Sequence, residues 1–249
     1  MVVWYSIILG LFIGSFLNVL ADRLPKGQNV LWGRSHCDYC KKTLRWYELI
    51  PVVSFILQGA KCRRCHKKLS WQYPLIELAT AIGFGSIAAN QSSVLALTAG
   101  CIIYSSFVVM MVADFKFQII PDSMIVMAII GVALLLAAQP LGMNTLVHLG
   151  IAVGIMLFFY LLWLFTHGRG IGFGDVKLSF VLGLLLGFPE AIIALYIAFL
   201  TGAMVGVILI LRGRKTLKSK IAFGPFLIGA TGAVFLFHAQ LLHLWSLYL

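Results

Sequence analysis

Long apolar runs recur along the chain, at about 1–20, 74–89, 94–113, 123–139, 145–166, 176–189, 190–211 and 223–245. A run near 20 residues is long enough to cross ~30 Å of hydrocarbon as a helix. The pattern predicts an all-α polytopic membrane protein of about eight transmembrane helices, the sixth run being short. One polar interruption differs from the others: residues 21–73 are long, basic and cysteine-bearing. The chain therefore divides into a first transmembrane helix at 1–20, a small cytoplasmic module at 21–73, and the remaining helices at 74–249. Low-complexity tracts and convincing internal repeats are absent from this reading.

Composition supports a membrane protein: 61% of the residues are hydrophobic, 11% are charged, and the mean hydropathy is +1.00. A soluble domain needs more polar surface to cover its core. The net charge of +11 raises nucleic acid as a partner, but its distribution points elsewhere. Eleven of the 19 Lys/Arg fall between Arg23 and Lys68 and five between Arg212 and Lys220, leaving Lys116, Arg169 and Lys177. Basic residues in short loops beside apolar spans mark the cytoplasmic face. An outside-to-inside first helix puts 21–73, 114–122, 167–175 and 212–222 on that face, and these loops hold every Lys/Arg but Lys177. Both termini are then outside, and anionic lipid headgroups are the expected counter-charge. No basic–aromatic interleaving supports nucleic-acid binding. The first run lacks a basic start and a nearby small-residue cleavage site, so it reads as a retained helix.

Two cysteine pairs, Cys37/Cys40 and Cys62/Cys65, stand 21 residues apart within the basic segment. Thiolates two positions apart bend around one ion, and a second pair completes a tetrahedron. On the cytoplasmic face disulfides are disfavoured, so a closed, structural Zn2+ site is expected. His36 and His66 flank the pairs as alternative ligands. Free thiols or a redox pair are the other reading. Cys101 lies within an apolar run and reads as packing.

Only eight acidic residues occur. Asp114, Asp122 and Asp175 border apolar runs, and the parity of the spans puts all three at one depth near the cytoplasmic surface. Two carboxyls from different helices can share one proton and hydrolyse a peptide, one activating water and the other polarising the carbonyl. Gly170, Gly172 and Gly174 before Asp175 leave room for close backbone approach. Competing readings exist for each acid. Asp122 after Pro121 and Asp175 after the glycines can simply begin helices, with Lys177 snorkelling beside Asp175. Asp114 ends a helix, where the dipole opposes it, so its placement calls for another reason. Glu77, inside the second run, pairs with a basic group or touches a ligand. His148, His238 and His243 lie towards the outer face and read as bland. His167 and Arg169 precede the glycine loop as possible substrate contacts. A proton-coupled transporter is the rival class, but its carboxylates belong near the midplane in symmetric repeats. A zinc scaffold without catalysis leaves the glycine–aspartate loop without a purpose.

These residues together resemble the type IV prepilin peptidase family over nearly the whole chain. The resemblance rests on Gly14–Val19 with Arg23-Leu24-Pro25, the tetracysteine block running to Tyr73–Glu77, Asp114 with Ile120-Pro121-Asp122, Gly172-Phe173-Gly174-Asp175, and Phe223–Leu227. It implies an aspartic endopeptidase of the bacterial plasma membrane with Asp114 and Asp175 as its catalytic pair. Gly172, Gly174, Asp122 and Lys177 are then supporting residues. It further implies prepilin and pseudopilin substrates, cleaved after glycine at the cytoplasmic border. Members with the cysteine block often also N-methylate the new terminus, typically phenylalanine, with S-adenosylmethionine. One departure is Ala113, where an additional polar residue is expected.

Overall fold

The structure is a computed structural model that describes all residues except 31, 38, 92, 139–142, 169, 214–215, 217–220 and 237–249. Arg169, His238, His243 and the end of the eighth apolar run lie outside the described residues. Nine α-helices are described: α1 (Val2–Arg23), α2 (Val53–Leu57), α3 (Gln72–Asn90), α4 (Val94–Phe117), α5 (Asp122–Ala137), α6 (Met143–Phe165), α7 (Phe173–Leu186), α8 (Glu190–Leu211) and α9 (Gly224–Leu236). Every helix but the short α2 corresponds to one of the apolar runs.

Among the described residues, four helical segments are long and apolar enough to cross a membrane: Val2–Lys26, Val94–Phe117, Thr145–Phe165 and Glu190–Leu211. The others are shorter or less apolar. The 14 residues of α7 rise only about 21 Å, less than the thickness of a hydrocarbon core.

The chain forms two units, Met1–Val109 and Met110–Leu249. In the first, α1 lies against α3 through small residues. A Cβ at Gly10 would stand 2.7 Å from Ala81 Cα, and one at Gly14 would stand 2.8 Å from Glu77 Cα. Glycine at these two positions is what lets the backbones approach, the usual means of helix pairing where no hydrophobic drive separates helix from lipid. The first part of α4 joins them: the Tyr104 hydroxyl donates to Ala79 O at 2.8 Å, and its ring meets Phe84 edge-on.

In the second unit α7 is the central element, with Val176, Leu178, Val181 and Leu182 nearly inaccessible. It packs on α6, where a Cβ at Gly183 would approach Ala152 Cα to 2.6 Å. It also contacts α5, α8 and α9. The rings of Phe159, Phe199 and Phe223 stack within 5.0–6.3 Å of one another and pin the segment entering α9.

Candidate active site

Asp114 lies in the last turn of α4, where Gln118 N–H donates to Asp114 O at 2.9 Å. A helix C-terminus disfavours a negative side chain. The compensation comes from another helix: Asp114 Oδ2 accepts the backbone N–H of Gly224 at 3.0 Å. Gly224 opens α9, and the N–H groups of Phe226 and Leu227 both return to Phe223 O, which makes Phe223 the cap. The Gly224 donor is therefore one of the N–H groups that a helix start leaves without an internal partner. It sits at the positive end of the α9 dipole.

Asp175 is the third residue of α7, and its Oδ2 accepts the N–H of the N-cap residue Gly172 at 3.2 Å. Both acids thus rest on the positive end of a helix, each through one oxygen. Both are buried, with 5% and 7% of their surfaces exposed. The charge of Asp114 acts on Asp175, so the carboxyls are electrostatically coupled. Ile120 packs against both approaches to the pair. A Cβ at Gly174 would lie 3.0 Å from Ile120 Cβ, and one at Gly224 would lie 3.2 Å from Ile120 Cδ1. The Gly224 Cβ would also reach 2.7 Å from Asp114 Oδ2, and one at Gly172 would come 3.3 Å from Asp175 Oδ2. The glycines therefore serve packing around the carboxyls as well as any approach of substrate.

Asp122 and Lys177 form a pair of their own. Lys177 Nζ donates to Asp122 Oδ1 at 2.7 Å, joining the starts of α5 and α7, and Nζ also lies 5.1 Å from the centre of the Phe173 ring. Asp122 is 72% exposed at the first residue of α5, a helix-start acid as its position after Pro121 suggests. His148 bonds to Leu184 O at 3.0 Å. Gly224 and Ile120 belong to motifs that carry the resemblance, but no role was read for either from the sequence. The visible signal was a Gly-Pro pair at the head of an apolar run, which marks a helix start with an unused donor.

The four cysteines form a second site in the first unit. Their sulfurs all lie within 4.8 Å of one another, with Cys37 Sγ and Cys65 Sγ 3.8 Å apart. Ligands at the usual Zn–S distance of about 2.3 Å define a tetrahedron of about 3.8 Å edge, so the set fits zinc. Each pair sits in the same turn. Cys37 O accepts from Lys41 N and Cys62 O accepts from His66 N, both at 2.9 Å, and Lys41 and His66 both have positive φ. Ser35 O and Ala60 O accept from Leu44 N and Leu69 N, both at 2.8 Å. The two knuckles are thus a structural repeat. The sequence reading missed it, though the shared Cys-x-x-Cys-x-Lys-x-Leu is written in both segments. His36 and His66 are not members of the group. Backbone N–H groups of Cys65 and Arg64 pull the Cys62 thiol down to about 7, whereas burial raises Cys37 to about 11.

Among the described residues Glu77 pairs with no basic group. Its Oε2 accepts the N–H of Val52 at 2.7 Å, and its carboxyl also accepts a hydrogen bond from Ser15.

The fold defines the class, an all-helical membrane protein, and Asp114 and Asp175 are two of the four buried acids among its described residues. Residues 8–91 match the bacterial peptidase A24 N-terminal domain, and residues 101–207 match the type IV leader peptidase family. The chain belongs to the type IV leader peptidase family. A Bacillus subtilis protein named prepilin leader peptidase/N-methyltransferase is 32% identical over 230 residues, covering 92% of each chain. Proteins of that name from Burkholderia pseudomallei and Pseudomonas aeruginosa are 33% and 30% identical, over 94% and 89% of this chain and 84% and 86% of theirs. No solved structure matches the chain.

Proposed function

We propose that this chain is a membrane aspartic endopeptidase that removes the leader from type IV prepilins and pseudopilins and N-methylates the new terminus. The observation that carries the reading is the coupled, buried pair Asp114/Asp175, each acid held on a helix N-terminus by one oxygen. Two carboxyls so placed share one proton. The ionised member takes a proton from water as it attacks the scissile carbonyl, and the protonated member donates to the carbonyl oxygen. The N–H groups of Gly172 and Gly224 occupy one oxygen on each side, which leaves the other for water and carbonyl. Asp122 and Lys177 support the site by tying α5 to α7.

Cys37, Cys40, Cys62 and Cys65 would hold zinc as a structural ion, which ties the two knuckles together and takes no part in hydrolysis. S-adenosylmethionine is the methyl donor in this reading, supplying a methyl group carried on a sulfonium. The eight longer helices lie in the plasma membrane, α7 too short to span it unaided, with the basic loops, the zinc module and the acid pair on the cytoplasmic side and the termini outside. The lipid bilayer and the prepilin are the partners, with no nucleic acid.

The test is cleavage of a prepilin in membranes. Asp114→Asn and Asp175→Asn each lower cleavage by at least about a thousandfold, the scale seen when a catalytic acid is removed. Both should elute with the wild type on gel filtration in detergent. Full cleavage by either folded variant overturns the assignment.

A further inference from the structure

The chain between the two cysteine knuckles turns an apolar face outward. Trp46 and Leu49, on a short 3-10 turn, and Val53, Ile56 and Leu57, on α2, are all exposed. Trp46, Ile56 and Leu57 show more than two-thirds of their surface. Val53, Ile56 and Leu57 stand at i, i+3 and i+4 and so share one side of α2, while Phe55 is buried. A water-soluble module gains nothing from such a face, which marks an interaction surface.

The same stretch is fastened to α3. Val52 turns the chain with φ 59°, and its N–H is held by Glu77 at 2.7 Å. The Phe55 ring meets the Trp71 ring at 5.0 Å. Trp71 caps the start of α3 and is itself exposed, and the exposed Leu75, Leu78 and Ile82 follow it at steps of four, three and four. That spacing makes one apolar stripe along α3, the side that a membrane helix gives to lipid. From Trp71 to Ile82 the stripe rises about 16 Å. Trp71 therefore stands where aromatic rings mark the border between hydrocarbon and water. Through the Phe55–Trp71 contact the outward face of α2 is continuous with this stripe.

The charge beside the face is of one sign. The guanidiniums of Arg45 and Arg63 lie 5.9 and 5.4 Å from the centre of the Tyr47 ring, and Arg45 also donates to the Tyr47 hydroxyl at 2.9 Å. Tyr47 in turn meets Trp46 edge-on at 5.7 Å. Among the described residues neither guanidinium has a carboxylate partner. Two forked cations gathered on one ring, at the edge of an apolar face, suit phosphate.

We infer that residues 46–57 are an interfacial anchor, lying in the anionic headgroup layer of the leaflet that α3 enters. Ile56 and Leu57 reach the acyl boundary, and Arg45 and Arg63 meet phospholipid phosphates. The inference rests on the membrane placement in the proposed function and turns part of the 21–73 module from a solvated loop into membrane surface. A second copy of the chain is the poorer occupant, because a twofold contact through this face would set Arg45 and Arg63 against their own like charges.

The experiment is photocross-linking of the full chain in nanodiscs of phosphatidylglycerol and phosphatidylcholine in equal parts, each radiolabelled in turn. Ile56→p-benzoylphenylalanine carries the probe, with Leu57→p-benzoylphenylalanine in its place should the first fail to cleave prepilin, and Ile82→p-benzoylphenylalanine is the lipid-facing reference. Lipid label from position 56 comparable to that from position 82 is the expected result. Label from 82 alone, or cross-links from 56 to a second copy or to another protein, overturns the inference and leaves the proposed function standing. Label from neither overturns it together with the membrane placement of α3. Arg63→Gln, combined with the probe at 56, should lower the ratio of phosphatidylglycerol to phosphatidylcholine label about fivefold, the worth of one basic residue beside an anionic surface. An unchanged ratio overturns the anionic headgroup as the occupant.

Discussion

Asp114 sits between two opposed helix ends, the C-terminus of its own α4 and the N-terminus of α9. The second supplies a hydrogen bond as well as a field, so it holds the carboxyl where the first alone would not. Gly224 is therefore as position-sensitive as the acids. Gly224→Ala places a methyl 2.7 Å from Asp114 Oδ2, so the carboxyl must shift. Prepilin cleavage should fall about a hundredfold, since a misplacement near 1 Å costs that much in an oriented site. A steady-state assay should find the loss in kcat rather than KM. Asp122 gives the opposite expectation. Its pair with Lys177 is exposed, and such pairs contribute about 0–1 kcal/mol. Asp122→Asn should keep cleavage within about fivefold of wild type, and a loss as large as that of Asp175→Asn would move Asp122 into the reacting set. At this scale the sequence showed the acids and the dipole conflict at Asp114. It concealed the solution because Gly224 lies 110 positions away.

Helices were the most legible level. Apolar runs predict them because a backbone in lipid must satisfy its own hydrogen bonds, and eight of the nine described helices fall on those runs. The exception, α2, has five residues and no periodic signal. Span lengths were less legible, since α7, like the short run that predicted it, has 14 residues, too few to cross the hydrocarbon at full helical rise. The small residues that let helices touch were also hidden, because a glycine in an apolar run declares no partner. Gly183 is a case in point: a side chain there meets the backbone of Ala152, which cannot yield as a side-chain tip can. Gly183→Leu should destabilise the second unit by about 1–3 kcal/mol through overpacking. A lower midpoint of thermal unfolding in detergent would show it, while an unchanged midpoint would mean that α6 and α7 can separate freely.

Across the whole molecule, the tetracysteine module and the acid pair belong to different units. Stripping zinc with a chelator, or Cys37→Ser, should lower methyl transfer about tenfold or more while cleavage falls less. Metal analysis of the purified protein should return about one zinc per chain. Cysteine scanning from outside the cell can check the orientation: probes in 21–73 and 212–222 should be protected, and a probe near Gln91 accessible. The tetracysteine spacing was enough to foresee that the four sulfurs gather in one cluster.

The bond from Gly224 to Asp114 also sets a condition on timing. A nascent chain that has emerged only as far as α8 already contains both acids, yet lacks the amide that steadies the first of them. On the proposed mechanism the pair is complete only once the ribosome has delivered residue 224, so a copy that stops short of it should leave prepilin uncut.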